Sequence, residues 1–323
     1  MSKKKLLITG ANGFIGYGAV MYFAQLSNYE VIAAVRKIPS NLTFPSHVRV
    51  LDHLDIDHDN GWLPAMVEVD YVLHCAARYH IPKNSLTDVL ALCRKINVEG
   101  SMRVANAALS SGVKRFIFLS SLKVHGEENQ LDQPFRETDI LRPQYAYGIS
   151  KKEAEEKLTA LVNGTNMELV IIRPPPVYGP RVPANFLAML HCIKWGLPIP
   201  LASVKSLRSY IALDNLLDFI RVTIDHPSAS GEIFLVADQR NWSIADLITQ
   251  LASAMNKRLL LFPVSPIILS WLAKLLGKKA LADLLLMPSC VDTSKAQMLL
   301  QWTPVIKSEA ALSQTAKDYM TRQ

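Results

Sequence analysis

The chain of 323 residues is half apolar and carries 35 Lys and Arg against 28 Asp and Glu, a formal net charge of +7. That is enough chain for one large α/β domain with an appended lobe and a substantial core, and a soluble globular protein is the default. The cations are scattered, Lys3 to Lys5 forming the one run, so they read as attraction for small anionic molecules and exclude a nucleic-acid footprint.

Leu6, Leu7 and Ile8 form a short apolar run that reads as a buried parallel strand ending at Thr9 and Gly10. A helical pattern begins near Phe14, and Gly10, Gly13 and Gly16 punctuate the turn between them. Their spacing is G-x-x-G-x-x-G, not the commoner G-x-G-x-x-G, but the mechanics carry over. Glycine permits the tight turn, lets backbone N–H groups approach a pyrophosphate and lets the helix pack on the strand. Asn12, Phe14 and Ile15 share the turn and join the glycines as cofactor-binding candidates. The helix should run to about Leu26, and Glu30–Val35 is the second strand, ending at Arg36 and Lys37. In a dinucleotide fold this position usually carries an acid for the ribose 2′-hydroxyl, whereas a cation accommodates a 2′-phosphate. Arg36 therefore points to NADP(H), with NAD(H) as the alternative.

Val48–Leu51 is a third strand, followed by the run Asp52–Asn60 with two histidines and four aspartates. A polar loop explains that composition without the ligand geometry that a metal site needs. Asp55 and Ile56 fall, by position, where the adenine would lie. Tyr71–Ala77 is the fourth strand and its exit, where the small side chains of Ala76 and Ala77 let a cofactor lie against the backbone. A helical pattern spans Leu90–Ala108 and contains Asn97, which must find hydrogen-bond partners if it faces inward. Arg115–Ser121 is the fifth strand and delivers Ser120 and Ser121 to the edge at which open α/β sheets bind ligands.

Tyr145–Leu158 supplies Tyr147 and Lys151 at i and i+4, on one face of a helix. Ala154, Leu158, Leu161 and Val162 extend that face inward, while Lys152, Glu153, Glu155 and Glu156 mark the wet side. A tyrosine titrates at about pH 10, so it works as an acid–base group at neutral pH only if a nearby cation stabilises its phenolate. Lys151 is placed to be that cation, with Ser121 holding a substrate oxygen and Tyr147 exchanging a proton with it. Glu168–Arg173 is a sixth strand, and Glu232–Ala237 a seventh that returns to the same sheet. Between Leu259 and Leu276 the chain is strongly apolar, but Pro263, Pro266 and Lys274 interrupt it. A membrane span needs about twenty largely uncharged residues, so a buried or lid-forming helix is the expected reading there, with an amphipathic helix resting on the cytoplasmic membrane face as the lesser alternative. Cys75, Cys93, Cys192 and Cys290 have neither zinc nor disulfide spacing, and no signal-peptide pattern opens the chain, so a reducing cytoplasm is the expected location.

The motifs TGANGFIG, SSLKVHG (Ser120–Gly126), YGISK (Tyr147–Lys151), RPPPVYGP (Arg173–Pro180), RSYIALDNL (Arg208–Leu216) and DTSKAQMLLQWTP resemble the extended short-chain dehydrogenase/reductases, in the branch of nucleotide-sugar epimerases, dehydratases and 4-ketoreductases. The resemblance implies a Rossmann-type doubly wound parallel sheet with a smaller C-terminal substrate-binding lobe. Residues 1–179 would form the dinucleotide-binding domain and 180–323 mainly the lobe, with about 213–238 returning to the sheet. It also implies Ser121, Tyr147 and Lys151 as the catalytic set, Asn97 as a structural and proton-relay residue, and Pro174 as a cofactor contact. Asn185 and Phe186 match contacts to the nucleoside diphosphate and Arg208 an arginine that pairs with its phosphates. There are two departures. Pro176 stands where many members have Asn, and the stretch Leu281–Pro288 offers no second phosphate-binding arginine, although Lys278 and Lys279 lie nearby.

Within the resemblance, reduction of a UDP-4-keto-6-deoxy-hexosamine by NADPH leads because of Arg36, with a UDP-sugar 4-epimerase that recycles NAD as the alternative. A non-catalytic sensor has no need of Tyr147 as proton donor. A 4,6-dehydratase would carry an acidic pair after Ser121, where this chain has Leu122 and Lys123. Family members often form homodimers.

Overall fold

Strands covered on both faces can bury apolar side chains at consecutive positions, and that is how the apolar runs are used. The computed structural model describes residues 3–40, 42–58, 61–79, 88–130, 133–277 and 279–322. Its main sheet has seven parallel strands: β1 (Lys4–Thr9), β2 (Tyr29–Ala34), β3 (Arg49–Leu51), β4 (Tyr71–His74), β5 (Arg115–Leu119), β6 (Glu168–Arg173) and β7 (Ile233–Leu235). They lie in the order β7-β6-β5-β4-β1-β2-β3, so the winding reverses between β1 and β4. The crevice outside the C-terminal ends of those two strands is where such sheets take ligands. Leu6 sets the register, opposite Val31 on one side and Tyr71 on the other.

Alternation along the strands divides the core into two layers. Leu6, Ile8 and Ile117 meet Ala19 and Phe23 from the helix Phe14–Ala24 and Leu216 and Phe219 from the helix Leu213–Asp225. Leu7, Phe116 and Phe118 point the other way, onto Val104 and Ala105 of Ser101–Ser110 and Ala154 and Leu158 of Ala146–Val162. A third apolar cluster, around Tyr178, Leu190, Trp242, Leu247 and Leu312, holds the C-terminal lobe together. At the turn after β1, Gly10 adopts φ +63°, and a Cβ there would stand 2.8 Å from the Ala76 Cα. Glycine thus lets this turn close directly onto the exit of β4.

Several expectations change. The run Leu90–Ala108 is not one α-helix: Val89–Cys93 and Ser101–Ser110 flank a π-helical segment, Arg94–Gly100, which turns Asn97 inward. Glu155 is not on the wet side; it is buried, because it meets the buried Arg173 at the end of β6. The apolar stretch Leu259–Leu276 forms a helix, Pro266–Leu275, that buries none of its residues, since only its inner edge, at Leu269 and Ala273, reaches the lobe core. Among the described residues no helix is long and apolar enough to cross a membrane.

Candidate active site

Past Leu119, the last residue of β5, the chain leaves the sheet through two serines with different tasks. Ser120 donates through its backbone N–H to Ile172 O (2.7 Å) and through its hydroxyl to Glu155. Ser121 stays extended, and its Oγ accepts from the Lys123 N–H at 3.2 Å, capping the short 3-10 turn Leu122–Val124. The Leu122 N–H donates to Pro174 O at 2.9 Å, which fixes this turn to the segment after β6. Against it packs the start of the helix Ala146–Val162. A Cβ on Gly148 would lie 2.5 Å from the Lys123 carbonyl oxygen, so glycine permits Tyr147 to sit beside the serine turn.

Tyr147 is half-buried, its ring meeting Tyr79 edge to face at 4.9 Å. Burial raises its phenol above the ordinary value, while a hydrogen bond with Ser121 acts in the opposite direction. Lys151, one turn further on, is 1 % exposed. Its Nζ lies 4.0 Å from the centre of the Phe118 ring and has no hydrogen-bond partner among the described residues. Desolvation pulls the ammonium down to about 7. In this state Lys151 is therefore not yet the strong cation that sequence reasoning assigned to it.

Asn97 is fully buried and fully used. Its amide donates to Arg78 O (3.1 Å) and Ser150 Oγ (2.9 Å), and its carbonyl accepts from the Arg78 N–H (2.7 Å). It ties the chain beyond β4 to the helix of Tyr147 and Lys151. Sequence reasoning missed the hydrogen-bond chain behind it. Ser101 gives its proton to Asn97 O (2.7 Å) and so accepts from His74 Nε2 (2.9 Å). His74 Nδ1 in turn accepts from the Thr9 hydroxyl (2.9 Å), and Thr9 Oγ1 accepts from the Ala76 N–H (3.2 Å). Burial holds His74 near a pKa of about 3, so it stays neutral in this single tautomer. The one signal for it was a histidine inside an apolar strand.

A second unforeseen network braces the serines from below. Arg173 grips Glu155 through Nε (3.0 and 3.2 Å) and Nη2 (2.6 Å) and gives a further N–H to His125 Nε2 at 3.1 Å. Burial and the guanidinium depress His125 to about 3, so it too is neutral. On the lobe side, Arg208 is 1 % exposed and donates to the carbonyls of Asp283 (3.4 Å) and Met287, while its Nε has no hydrogen-bond partner among the described residues. Lys123 pairs with Glu127 within the field of Arg208, and Tyr145 donates to Asp283 at 2.8 Å.

The other candidates separate into groups. Gly10 and Ala76 meet at the crevice by the contact already given, Pro174 lies after β6 with its carbonyl on the serine turn, Gly13 closes the glycine turn by donating to Gly10 O at 2.8 Å, and Gly16 is buried beneath it. Phe14 and Ile15 are half-buried at the helix start, Asn12 reaches Lys37 O at 3.4 Å, and Ala77 is exposed. Arg36 and Asp55 meet as an ion pair at 3.9 Å, and Ile56 O accepts from Arg103 at 3.1 Å. Asp57 faces Lys95 at 3.6 Å; Asp59 and Asn60 lie outside the described residues, as do Lys278 and the side chain of Lys279. Asn185 is exposed, and Phe186 is set apart from the serines, stacked on Tyr178 at 5.6 Å in the lobe core.

The family model described as "NAD dependent epimerase/dehydratase family" matches residues 6–237. A UDP-glucose 4-epimerase of Vibrio cholerae is 36% identical over 318 residues, covering 98% of this chain and 96% of that protein. An Escherichia coli O157:H7 protein named N-acetyl-alpha-D-glucosaminyl-diphospho-ditrans,octacis-undecaprenol 4-epimerase is 28% identical over 51% of this chain and 49% of its own length. Among solved structures, a Bacillus cereus UDP-glucuronic acid 4-epimerase in complex with UDP-glucuronic acid and NAD superimposes with a TM-score of 0.81, covering 99% of this chain and 100% of that one at 21% identity. Its likeness is one of fold. With the family model over most of the chain and a relative matching it nearly end to end, the glycine turn, the serine-ended strand and the Tyr147–Lys151 helix belong to a member of the NAD dependent epimerase/dehydratase family.

Proposed function

We propose that the protein is an NAD-dependent 4-epimerase of UDP-linked hexoses, with Ser121, Tyr147 and Lys151 as its catalytic residues. The observation that carries this reading is Lys151: a buried lysine one helical turn from Tyr147 whose Nζ has no hydrogen-bond partner among the described residues, and which when protonated has three N–H groups to donate. Such a group fits the ribose hydroxyls of a nicotinamide nucleotide, as the Gly10–Gly16 turn fits its pyrophosphate. The whole-length likeness to the Vibrio cholerae UDP-glucose 4-epimerase supports the substrate class.

When bound, NAD supplies a reversible hydride acceptor at C4 of the sugar. The protein's part is to hold and move the proton. Ser121 fixes the C4 oxygen, and Tyr147 takes its proton as base and returns it as acid, a role worth about a hundred- to ten-thousand-fold. Burial alone opposes the phenolate, so the charge that favours it must come from Lys151 once its ammonium is protonated and hydrogen-bonded. Asn97 acts as a positioning residue through Ser150 and Arg78. Arg208 supplies positive charge for the diphosphate, its planar guanidinium being suited to two oxygens at once. In this reading residues 1–179 hold the dinucleotide and 180–323 mainly the sugar nucleotide, with about 213–238 in the sheet.

The second reading, an NADPH-dependent 4-ketoreductase of a UDP-4-keto-6-deoxy-hexosamine, rests on Arg36 at the end of β2. Asp55 stands 3.9 Å from that guanidinium and offsets its attraction for a 2′-phosphate, which moves the balance to NAD and epimerisation. Purified protein with UDP-glucose and NAD should form UDP-galactose without net production of NADH. Stoichiometric consumption of NADPH by the 4-keto sugar, with no interconversion of UDP-glucose, would replace the first reading by the second.

A further inference from the structure

The helix Pro266–Leu275 carries the densest run of exposed large apolar side chains among the described residues. Ile267, Ile268, Trp271, Leu272, Leu275 and Leu276 are all exposed. Their spacing, in pairs four residues apart, draws one continuous apolar stripe along the helix. Leu269 and Ala273, on the opposite edge, pack against the lobe core, so the helix is anchored with the stripe outward. Next to it, the segment holding the exposed Leu260 and Phe262 is hydrogen-bonded to the 199–202 strip. Six large apolar side chains exposed side by side along one helix mark a contact surface.

The surrounding charge identifies the occupant. Between Asp246 and Asp283 the chain carries five cations, Lys257, Arg258, Lys274, Lys278 and Lys279, and no acidic residue. Lys257, Arg258 and Lys274 are exposed. A second copy of the chain meeting this face across a twofold axis would set these cations against each other. A phospholipid surface with anionic headgroups matches both features, taking the apolar stripe into the acyl boundary and the cations at the headgroups. Ten residues of helix are too short to span a bilayer but sufficient to lie in its plane. We propose that this helix docks the lobe onto an anionic membrane surface.

The docking face is mechanically close to the sugar site. Pro266–Leu275 packs on the helix Lys279–Leu286, and the carbonyls of Asp283 and Met287 hold Arg208. The proposal is independent of which reaction the site performs.

The test is sedimentation of the full chain with phosphatidylcholine vesicles, with and without roughly one-third phosphatidylglycerol. The protein should pellet with the anionic vesicles and about tenfold less with phosphatidylcholine alone, and added salt should release it. The double variant Ile267→Glu/Trp271→Glu should stay in the supernatant while keeping the wild-type unfolding midpoint and turnover of a soluble UDP-sugar. The charge-reversal variant Lys257→Glu/Arg258→Glu/Lys274→Glu, which leaves the stripe intact, should lose the preference for anionic lipid. The proposal is overturned if wild-type protein does not pellet with anionic vesicles or if the double variant pellets as well as wild type. It is equally overturned if the double variant only converts a dimer to a monomer in the ultracentrifuge, since the face would then be a contact between copies.

Discussion

Replacing Lys151 with methionine should stabilise the cofactor-free protein while removing its activity. The ammonium titrates at about 7 instead of 10.5 because it is buried without a hydrogen-bond partner. By proton linkage, a lysine with a depressed folded-state pKa destabilises the fold in full below that pKa, and the cost fades as pH rises toward the unfolded value. The cost changes by about 1.4 kcal/mol per pH unit across that window, on the order of 5 kcal/mol in total. Loss of the contact with the Phe118 ring takes back about 1–2 kcal/mol. Methionine keeps the length and packs on the same ring through its sulfur. The variant should therefore gain about 3–4 kcal/mol in urea unfolding at pH 6, and the gap should close between pH 7 and 10.5. Saturating NAD should stabilise wild type more than the variant, because only the lysine acquires new partners. A gap that does not vary with pH, or a variant less stable than wild type at pH 6, would refute the account of Lys151 as a desolvated ammonium.

Tyr147→Phe should keep the fold and cofactor binding, measured by fluorescence titration, and lower kcat by roughly a hundred- to ten-thousand-fold; weakened cofactor binding with intact turnover contradicts its role. Arg36→Asp should shift cofactor preference from NADPH toward NADH in competitive binding, and an unchanged ratio removes Arg36 from the cofactor site. Glu155→Ala leaves the buried Arg173 guanidinium uncompensated and should cost about 3–5 kcal/mol by denaturant unfolding, whereas a loss below about 1 kcal/mol would mean the pair is solvated. Gly148→Ala places a methyl group 2.5 Å from the Lys123 carbonyl and should lower kcat at least about tenfold and also lower the thermal midpoint, because the backbone must shift and Tyr147 is separated from the serine turn.

The parts of this molecule governed by local rules were legible in the sequence. The glycine turn follows from backbone sterics, the strands from continuous apolar runs, and the shared face of Tyr147 and Lys151 from helical spacing. The parts that depend on distant partners were not. Glu155 lies four residues after Lys151 and so on the same face, yet a carboxylate is normally solvated unless a cation meets it, and Arg173 is supplied by another strand. His74 takes its role from Thr9 and Ser101, 65 and 27 residues away. The cation at Arg36 was read without Asp55, which enters from beyond β3. The amphipathic pattern of Pro266–Leu275 was visible, but periodicity does not say whether the lobe is broad enough to cover an apolar face.

The π-helical segment Arg94–Gly100 has a consequence for insertions and deletions. Each added residue rotates the downstream part of a helix by about 100°, and a π-turn absorbs one residue without lengthening the helix by a full step. Cys93 before it and Val104, Ala105 and Ala108 after it are all buried, and both flanking helices pack on Ala146–Val162, so the π-turn sets the phase between two buried faces. Loss of a single codon here would act as a twist: the chain could regain a regular helix only by swinging Asn97 away from Arg78 and Ser150 or by turning the helix Ser101–Ser110 off the sheet.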